Sequence, residues 1–250
     1  MKFILSFVLL FFLQACGFLP GTTSSNNLAP AFINSSTVST TFFKHRTALY
    51  LSDKKESTLK VFIEGDGRPW IKGKNIRRDP TPHKLLMMAL LQNTKGDRLY
   101  LGRPCYFQTN DERCHYKYWT SHRYSTEVVH SMTDIIKQKM KKGAYQNLVI
   151  IGHSGGGTLA ALLACEFPVT PTLITLAANL DIQRWAEIHS WSPLTGSQNP
   201  AHLPASCKQT NAYHFYGNQD KNVPANSANA FFRNGASPVS YTHLTLPTKA

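Results

Sequence analysis

The chain has 250 residues, 42% of them hydrophobic, and carries 27 Lys and Arg against 14 Asp and Glu, a formal net charge of +13. That length and apolar content suffice for one α/β domain with a full core, and the absence of any internal repeat excludes solenoid and tandem-array architectures. In a cytoplasmic protein such a basic balance would suggest nucleic acid. The amino-terminal segment argues for export instead, which leaves either an anionic membrane surface nearby or solvated lysines on helix faces such as Lys137, Lys139, Lys141 and Lys142.

Lys2 is followed by an apolar run over 3–13 and by Gln14-Ala15-Cys16, the order of a charged n-region, a short apolar h-region and a small residue before a cleavage point. The run is too short to span a membrane as a helix. Leu13-Gln14-Ala15-Cys16 resembles a bacterial lipobox, with Gln14 off the usual small residue. The resemblance implies removal of residues 1–15, lipidation of Cys16 and, since Gly17 and not an acidic residue follows, the periplasmic face of the outer membrane. An ordinary cleaved signal peptide is the alternative. From Gly21 to about Thr41, the greater part of the stretch 16–41, the chain is rich in Ser, Thr, Asn and Pro with few large apolar residues. Such a composition buries too little to offset the entropy of ordering it, so a flexible tether is expected, with the folded domain over 42–238.

Inside the domain, apolar runs of strand type at 59–63, 98–101, 148–151, 172–176 and 212–216 alternate with helical stretches. The clearest helix is predicted over 127–141, where Val128, Val129, Met132, Ile135, Ile136 and Met140 recur at helical spacing. Strands alternating with helices imply a mostly parallel sheet, wound right-handed, with its site at the carboxyl ends of the strands. The first run opens into Glu64-Gly-Asp-Gly67, a Gly-rich turn with an ordinary β-turn as the alternative reading. Cys105 and Cys114, nine positions apart in a polar stretch, are the natural disulfide in an oxidising compartment; a metal site is the alternative, but no second close cysteine pair supports one. His122 could line a pocket or be a satisfied structural histidine.

The third run leads into Gly152-His153-Ser154-Gly155-Gly156 and then into Thr158-Leu-Ala-Ala-Leu-Leu-Ala164. A serine between glycines on a strand-to-helix corner is a nucleophile elbow: the hydroxyl stands clear of the sheet on a turn too tight for side chains at the flanking positions. Cys165, in the helix that follows, reads as a buried thiol, and Cys207 has no evident partner. The stretch 185–205 is either a cap or an ordinary helix and loop. The last run ends near Asp220, and Asp181 follows the one before it.

Ile63-Glu-Gly-Asp-Gly-Arg-Pro-Trp70, Asp79-Pro-Thr-Pro82, Leu101-Gly-Arg-Pro-Cys105, Tyr118-Trp-Thr-Ser-His-Arg123 and Ala177-Ala-Asn-Leu-Asp181, together with the elbow, resemble the α/β-hydrolase superfamily and, within it, uncharacterised proteobacterial hydrolase-like lipoproteins, over about residues 45–238. The resemblance implies hydrolysis of an ester-type bond in a small-molecule or lipid acyl substrate through an acyl-enzyme, with no metal or organic cofactor. Ser154 would be the nucleophile. The backbone amides of Gly155 and Asp66, or else Gly67, would form the oxyanion hole. Asp220, with Asp181 as competitor, would orient a histidine. His153, His202 and His214 fit that last role poorly, by packing or by order along the chain. The remaining candidate, His243, lies in a stretch, 239–250, that resembles translated sequencing-adapter sequence, so the native chain is expected to depart near Pro238 and to carry its last strand and histidine beyond it. The rival function is a non-catalytic envelope lipoprotein that uses the same scaffold to bind a ligand or partner.

Overall fold

The computed structural model describes residues 35–208 and 211–233. In chain order the strands are β1 (Ser35–Ser39), β2 (Lys44–Tyr50), β3 (Thr58–Ile63), a small hairpin of β4 (Trp70–Ile71) and β5 (Asn75–Ile76), β6 (Asp97–Leu101), β7 (Asn147–His153), β8 (Thr172–Leu176) and β9 (Ala212–Phe215). The helices are α1 (Leu86–Gln92), α2 (Thr126–Gly143), α3 (Gly155–Ala164), α4 (Ile182–Ile188), α5 (Ala205–Lys208) and α6 (Asn229–Arg233). One seven-stranded sheet runs β1-β2-β6-β3-β7-β8-β9. The β1–β2 and β2–β6 pairs are antiparallel, and β6, β3, β7, β8 and β9 are parallel to one another.

The period-2 alternation of a strand sorts its side chains onto two faces, and both are buried here, as a parallel sheet requires. Leu59, Val61 and Ile63 of β3 join Leu99, Leu101 and Ile150 in the larger core under α2 and α3. Phe62, Tyr100 and Ile151 point the other way, onto Met87, Met88 and Leu91 of α1. In α2 the expected stripe is buried at Val128, Val129, Met132, Ile135 and Ile136 and half-buried at Met140, and the helix ends at Ala144 in a left-handed conformation (φ 52°). All of α3 is buried, which is why its sequence is apolar all round and not amphipathic.

The folded region starts earlier than the composition suggests. Residues 35–39, expected within the tether, form an edge strand paired with β2, with Ser36 Oγ 3.1 Å from Thr47 Oγ1. Thr40 Oγ1 lies 2.6 Å from Ser131 Oγ of α2. A polar Ser/Thr strand can be held by backbone pairing and hydroxyl hydrogen bonds where it buries little apolar surface, and composition alone does not register that. The cysteines need a second correction. Cys105 and Cys114 are joined, and so are Cys165 and Cys207, which the sequence reading left as a buried thiol and an unpartnered residue. With 42 positions between them, spacing gives no hint of the pair; it ties the end of α3 to α5 and, by loop-closure entropy, disfavours the unfolded chain by about 4 kcal/mol. Cys16, the expected leader and the tail with His243 lie outside the described residues.

Candidate active site

Pairing across the sheet sets Ile63 beside Gly152, Gly152 beside Thr175 and Thr175 beside His214. The loops leaving β3, β7, β8 and β9 therefore emerge side by side along one edge. At the end of β7 the chain turns on Ser154, whose backbone takes φ 51° and ψ −125°, and enters α3 at Gly155. A non-glycine residue with that dihedral pair stores about 1–3 kcal/mol of strain. The corner is held by backbone bonds: Ser154 N–H donates to the Leu176 carbonyl (2.8 Å), and the Ser154 carbonyl accepts from Gly157 N–H (2.9 Å). The side chain is half-buried, and no described residue is hydrogen-bonded to its Oγ.

The flanking glycines are required by close backbone approach. A Cβ on Gly152 would overlap the Gly156 carbonyl, and one on Gly156 would overlap the carbonyls of Ile63 and Glu64. A Cβ on Gly65 would stand 3.3 Å from both Ser154 Cβ and His153 Nδ1. The Glu64–Gly67 turn thus packs directly against the elbow. The Gly155 amide, first in its helix, has no carbonyl one turn behind it and sits at the positive end of the helix dipole.

Two carboxylates on that turn live in opposite environments. Glu64 is 3% exposed, and its Oε1 accepts from the amides of Met87 (2.8 Å) and Met88 (3.2 Å), capping α1, which has no side-chain cap of its own. Burial pushes its pKa up to about 7 in spite of those amide bonds. Asp66 instead pairs with Arg103 and with Arg123 (2.9 Å) and accepts from the Tyr124 hydroxyl (2.7 Å), while its carbonyl accepts from Tyr106 (2.9 Å). Burial works to raise its pKa, but the Arg123 and Arg103 guanidiniums outweigh it and hold the carboxyl well below the ordinary carboxylate range. A Cβ on Gly155 would overlap the Asp66 carboxylate, so this cluster touches the elbow. Sequence reasoning assigned Asp66 a backbone role and missed Arg103, Arg123 and Tyr124 as its partners. The only signal was that the segments carrying two of them, Leu101-Gly-Arg-Pro and Tyr118 to Arg123, were already conspicuous as motifs without a role.

Asp220 lies on the loop after β9, its Oδ1 accepting from the amides of Asn222 (2.8 Å) and Val223 (3.0 Å). Its charge is felt by His153: burial lowers the pKa of that ring, and Asp220 and Asp66 oppose the shift. Asp181 is committed elsewhere. It is the buried N-cap of α4, accepting from Arg184 N–H (3.1 Å) and from Asn199 Nδ2 (3.0 Å). Of the histidines, His122 is 2.8 Å from Ser121 Oγ, with its ring where a Cβ on Gly196 would lie. His214 is buried against Thr175 Oγ1 (2.8 Å), and burial lowers its pKa to about 4. His202 is exposed on a short 3-10 turn. Among the described residues no histidine is hydrogen-bonded to Ser154 or Asp220.

The segment from α4 to Pro204 forms a shoulder in which Trp185 and His189 both bond to the Asn222 carbonyl, at 2.7 and 2.8 Å. It borders a half-open pocket of about 660 Å³ lined by Ile182, Ala186, Trp191, Leu194 and Leu203, which meets α3 at Leu162. That is about 12 Å along the helix from Ser154, so the cavity is not the space in front of the elbow. Among the described residues no group of three or more His, Cys, Asp or Glu is arranged to hold a metal ion.

No protein-family model and no curated protein sequence matches the chain. Solved structures do match it. An alpha-beta serine hydrolase homologue from Coxiella burnetii aligns with a TM-score of 0.55 at 13% identity, over 83% of this chain and 84% of its own. Est1E from Butyrivibrio proteoclasticus, with ferulic acid bound, gives 0.57 at 12% identity over 82% and 88%. The proline iminopeptidase of Mycobacterium smegmatis gives 0.57 at 8% identity over 83% and 89%. The fold is that of the α/β-hydrolases. At these identities the likeness concerns the scaffold, and a serine hydrolase homologue and a proline iminopeptidase sharing it show how little the fold alone says about the bond cleaved.

Proposed function

We propose that the protein is a serine hydrolase of the bacterial envelope, acting on an ester, thioester or related acyl bond. Ser154 attacks the carbonyl, and the amides of Gly155 and Asp66 stabilise the tetrahedral oxyanion. Asp220 orients a histidine that takes the serine proton and later delivers it to the leaving group. Cys16 carries the lipid anchor at the periplasmic face of the outer membrane, and the tether is the part of the chain before β1.

The observation that carries the reading is the corner itself: a half-buried serine whose hydroxyl has no described hydrogen-bond partner, on strained backbone packed against a second glycine-rich turn. Strained backbone of this kind clusters at functional sites, and here it holds a serine hydroxyl. Asp220 is preferred to Asp181 because the latter is consumed as a helix cap. The histidine is assigned to the native continuation after residue 238, since no described histidine is hydrogen-bonded to Asp220 or to Ser154.

Fluorophosphonate labelling tests the proposal. A chain in which 239–250 is replaced by the genomic continuation is expected to be labelled at Ser154, and not when Ser154 is changed to Ala. The 250-residue chain is expected to react at least a thousandfold more slowly, and His243→Ala to change nothing further. Absence of labelling in the folded, continued chain refutes the hydrolase reading and favours a binding lipoprotein. Loss of activity on His243→Ala refutes the assignment of the tail.

A further inference from the structure

The hairpin of β4 and β5 leaves the carboxyl edge of the sheet directly after the turn that touches Ser154. Its base is tied to the domain: Arg68 N–H donates to the Pro80 carbonyl (2.7 Å), Arg77 N–H to the Pro69 carbonyl (2.8 Å) and Trp119 Nε1 to the Arg77 carbonyl (3.0 Å). Its tip turns through Lys72 (φ 51°) and Gly73 (φ 71°). Every residue from Trp70 to Ile76 is exposed, including three large apolar ones, Trp70 at 41%, Ile71 at 40% and Ile76 at 37%. Trp70 and Ile76 are paired across the strands and so share a face, while Ile71 takes the other. A two-stranded ribbon this short is marginal in water, and apolar groups on both its faces are the reverse of what a solvated ribbon needs.

The charge on the same element is of one sign. Arg68, Lys72, Lys74, Arg77 and Arg78 lie between Asp66 and Asp79 with no acid among them. Neither flanking carboxylate neutralises them. Asp66 is held by Arg103 and Arg123, and Asp79 accepts from Thr81 N–H (2.9 Å), from the Thr81 hydroxyl (2.5 Å) and from Gln108 Nε2 (3.3 Å).

We infer that this hairpin is a docking element for an anionic lipid bilayer, with Trp70, Ile71 and Ile76 entering the headgroup and acyl boundary and the lysines and arginines engaging the lipid phosphates. A tryptophan and branched apolar side chains at a tip ringed by cations match that interface on both counts. A polyanion such as nucleic acid would use the cations but gives Ile71 and Ile76 nothing to bury against. The contact needs no lipid anchor. On the hydrolase reading above, it also sets the edge of the sheet that carries Ser154 toward the bilayer, so that an amphiphile held in the membrane is the substrate class; the docking itself is independent of that reading.

Vesicle flotation of the full chain carrying Cys16→Ser tests it, with phosphatidylglycerol–phosphatidylcholine vesicles against phosphatidylcholine alone. The chain is expected to partition to the anionic vesicles in preference. The Trp70→Ala/Ile71→Ala/Ile76→Ala triple and the Lys72→Glu/Lys74→Glu double are each expected to lower partitioning at least tenfold with melting temperature unchanged, since the substituted residues are exposed. Brominated lipid should quench tryptophan emission in the parent chain and lose that component in Trp70→Phe. Ser154→Ala should float like the parent, which separates this contact from the chemistry. Native partitioning by either multiple variant, or equal partitioning of the parent chain to the two vesicle types, overturns the inference; loss in the charge-reversed double alone marks diffuse attraction to any polyanion.

Discussion

Glu64→Gln should make the protein more stable at alkaline pH and leave it unchanged in acid. The Glu64 carboxyl is buried and its pKa rises from 4.5 to about 7 in the folded chain. A group whose folded pKa lies above its unfolded one makes its full contribution below the unfolded value and loses it as pH rises through the folded value. Below about pH 4.5 the protonated acid and the glutamine amide are equivalent, and either can accept from the Met87 and Met88 amides. Between there and about pH 7 the native chain must either carry a buried anion or hold a proton against the solvent, and 2.5 units at 1.36 kcal/mol each make that about 3 kcal/mol. Glutamine has no such term. Urea unfolding of both chains from pH 4.5 to 8.5 measures it, with all other titrations cancelling in the difference. The curves should coincide at the acid end and separate by about 3 kcal/mol at pH 8, or about 6–12 °C in melting temperature. Parallel curves across the range would refute the reasoning, because they would mean that the Glu64 carboxyl titrates alike in the folded and unfolded chains.

Two further substitutions probe the same corner. Asp66→Asn leaves Arg103 and Arg123, with side chains 1% and 7% exposed, without their anion, and should cost about 3–5 kcal/mol at neutral pH by urea unfolding. Because the Asp66 pKa is depressed, its contribution is present above the ordinary carboxylate range and fades as the pH falls through it; the variant should therefore lose part of the acid limb of the native stability curve below about pH 4. A cost under about 1 kcal/mol would show the cluster to be solvated. Ser154→Gly should raise stability by about 1 kcal/mol or more while abolishing fluorophosphonate labelling, since glycine accepts φ 51° without the strain a Cβ incurs; an unchanged urea midpoint would mean that the elbow is unstrained.

What the sequence disclosed follows physical range. The strands at 59–63, 98–101, 148–151, 172–176 and 212–216 were legible because buried parallel strands are short apolar runs, and each differs from the structure by at most two residues at an end. The elbow was legible because Gly152 and Gly156 answer to backbone atoms within a few residues or on the neighbouring strand. β2 was missed because its first four residues, Lys44-His45-Arg46-Thr47, are all polar, although His45 is fully buried between the Gly102 carbonyl (2.9 Å) and Ser131 Oγ (2.7 Å). The arginine pair of Asp66, 37 and 57 positions away, and the Cys165–Cys207 bridge depend on tertiary meetings that no local pattern encodes.

The placement of Glu64 and Asp66 explains how a turn made half of glycine can hold a fixed position against Ser154. The backbone between the two carboxylates carries the Asp66 amide proposed for the oxyanion, and neither Gly65 nor Gly67 can restrain it through a side chain. The carboxylates do so from opposite sides: Glu64 reaches across the sheet to the amino end of α1, and Asp66 reaches to Arg103 after β6 and to Arg123 before α2. Each end is fastened by side-chain hydrogen bonds to a different element of the fold, so the flexible residues are clamped at their flanks. The two fastenings respond to pH at separate points, Glu64 near 7 and Asp66 only in strong acid. Loss of geometry at the turn on acidification should therefore follow Asp66, whereas a change near neutrality that is absent in Glu64→Gln belongs to the cap of α1.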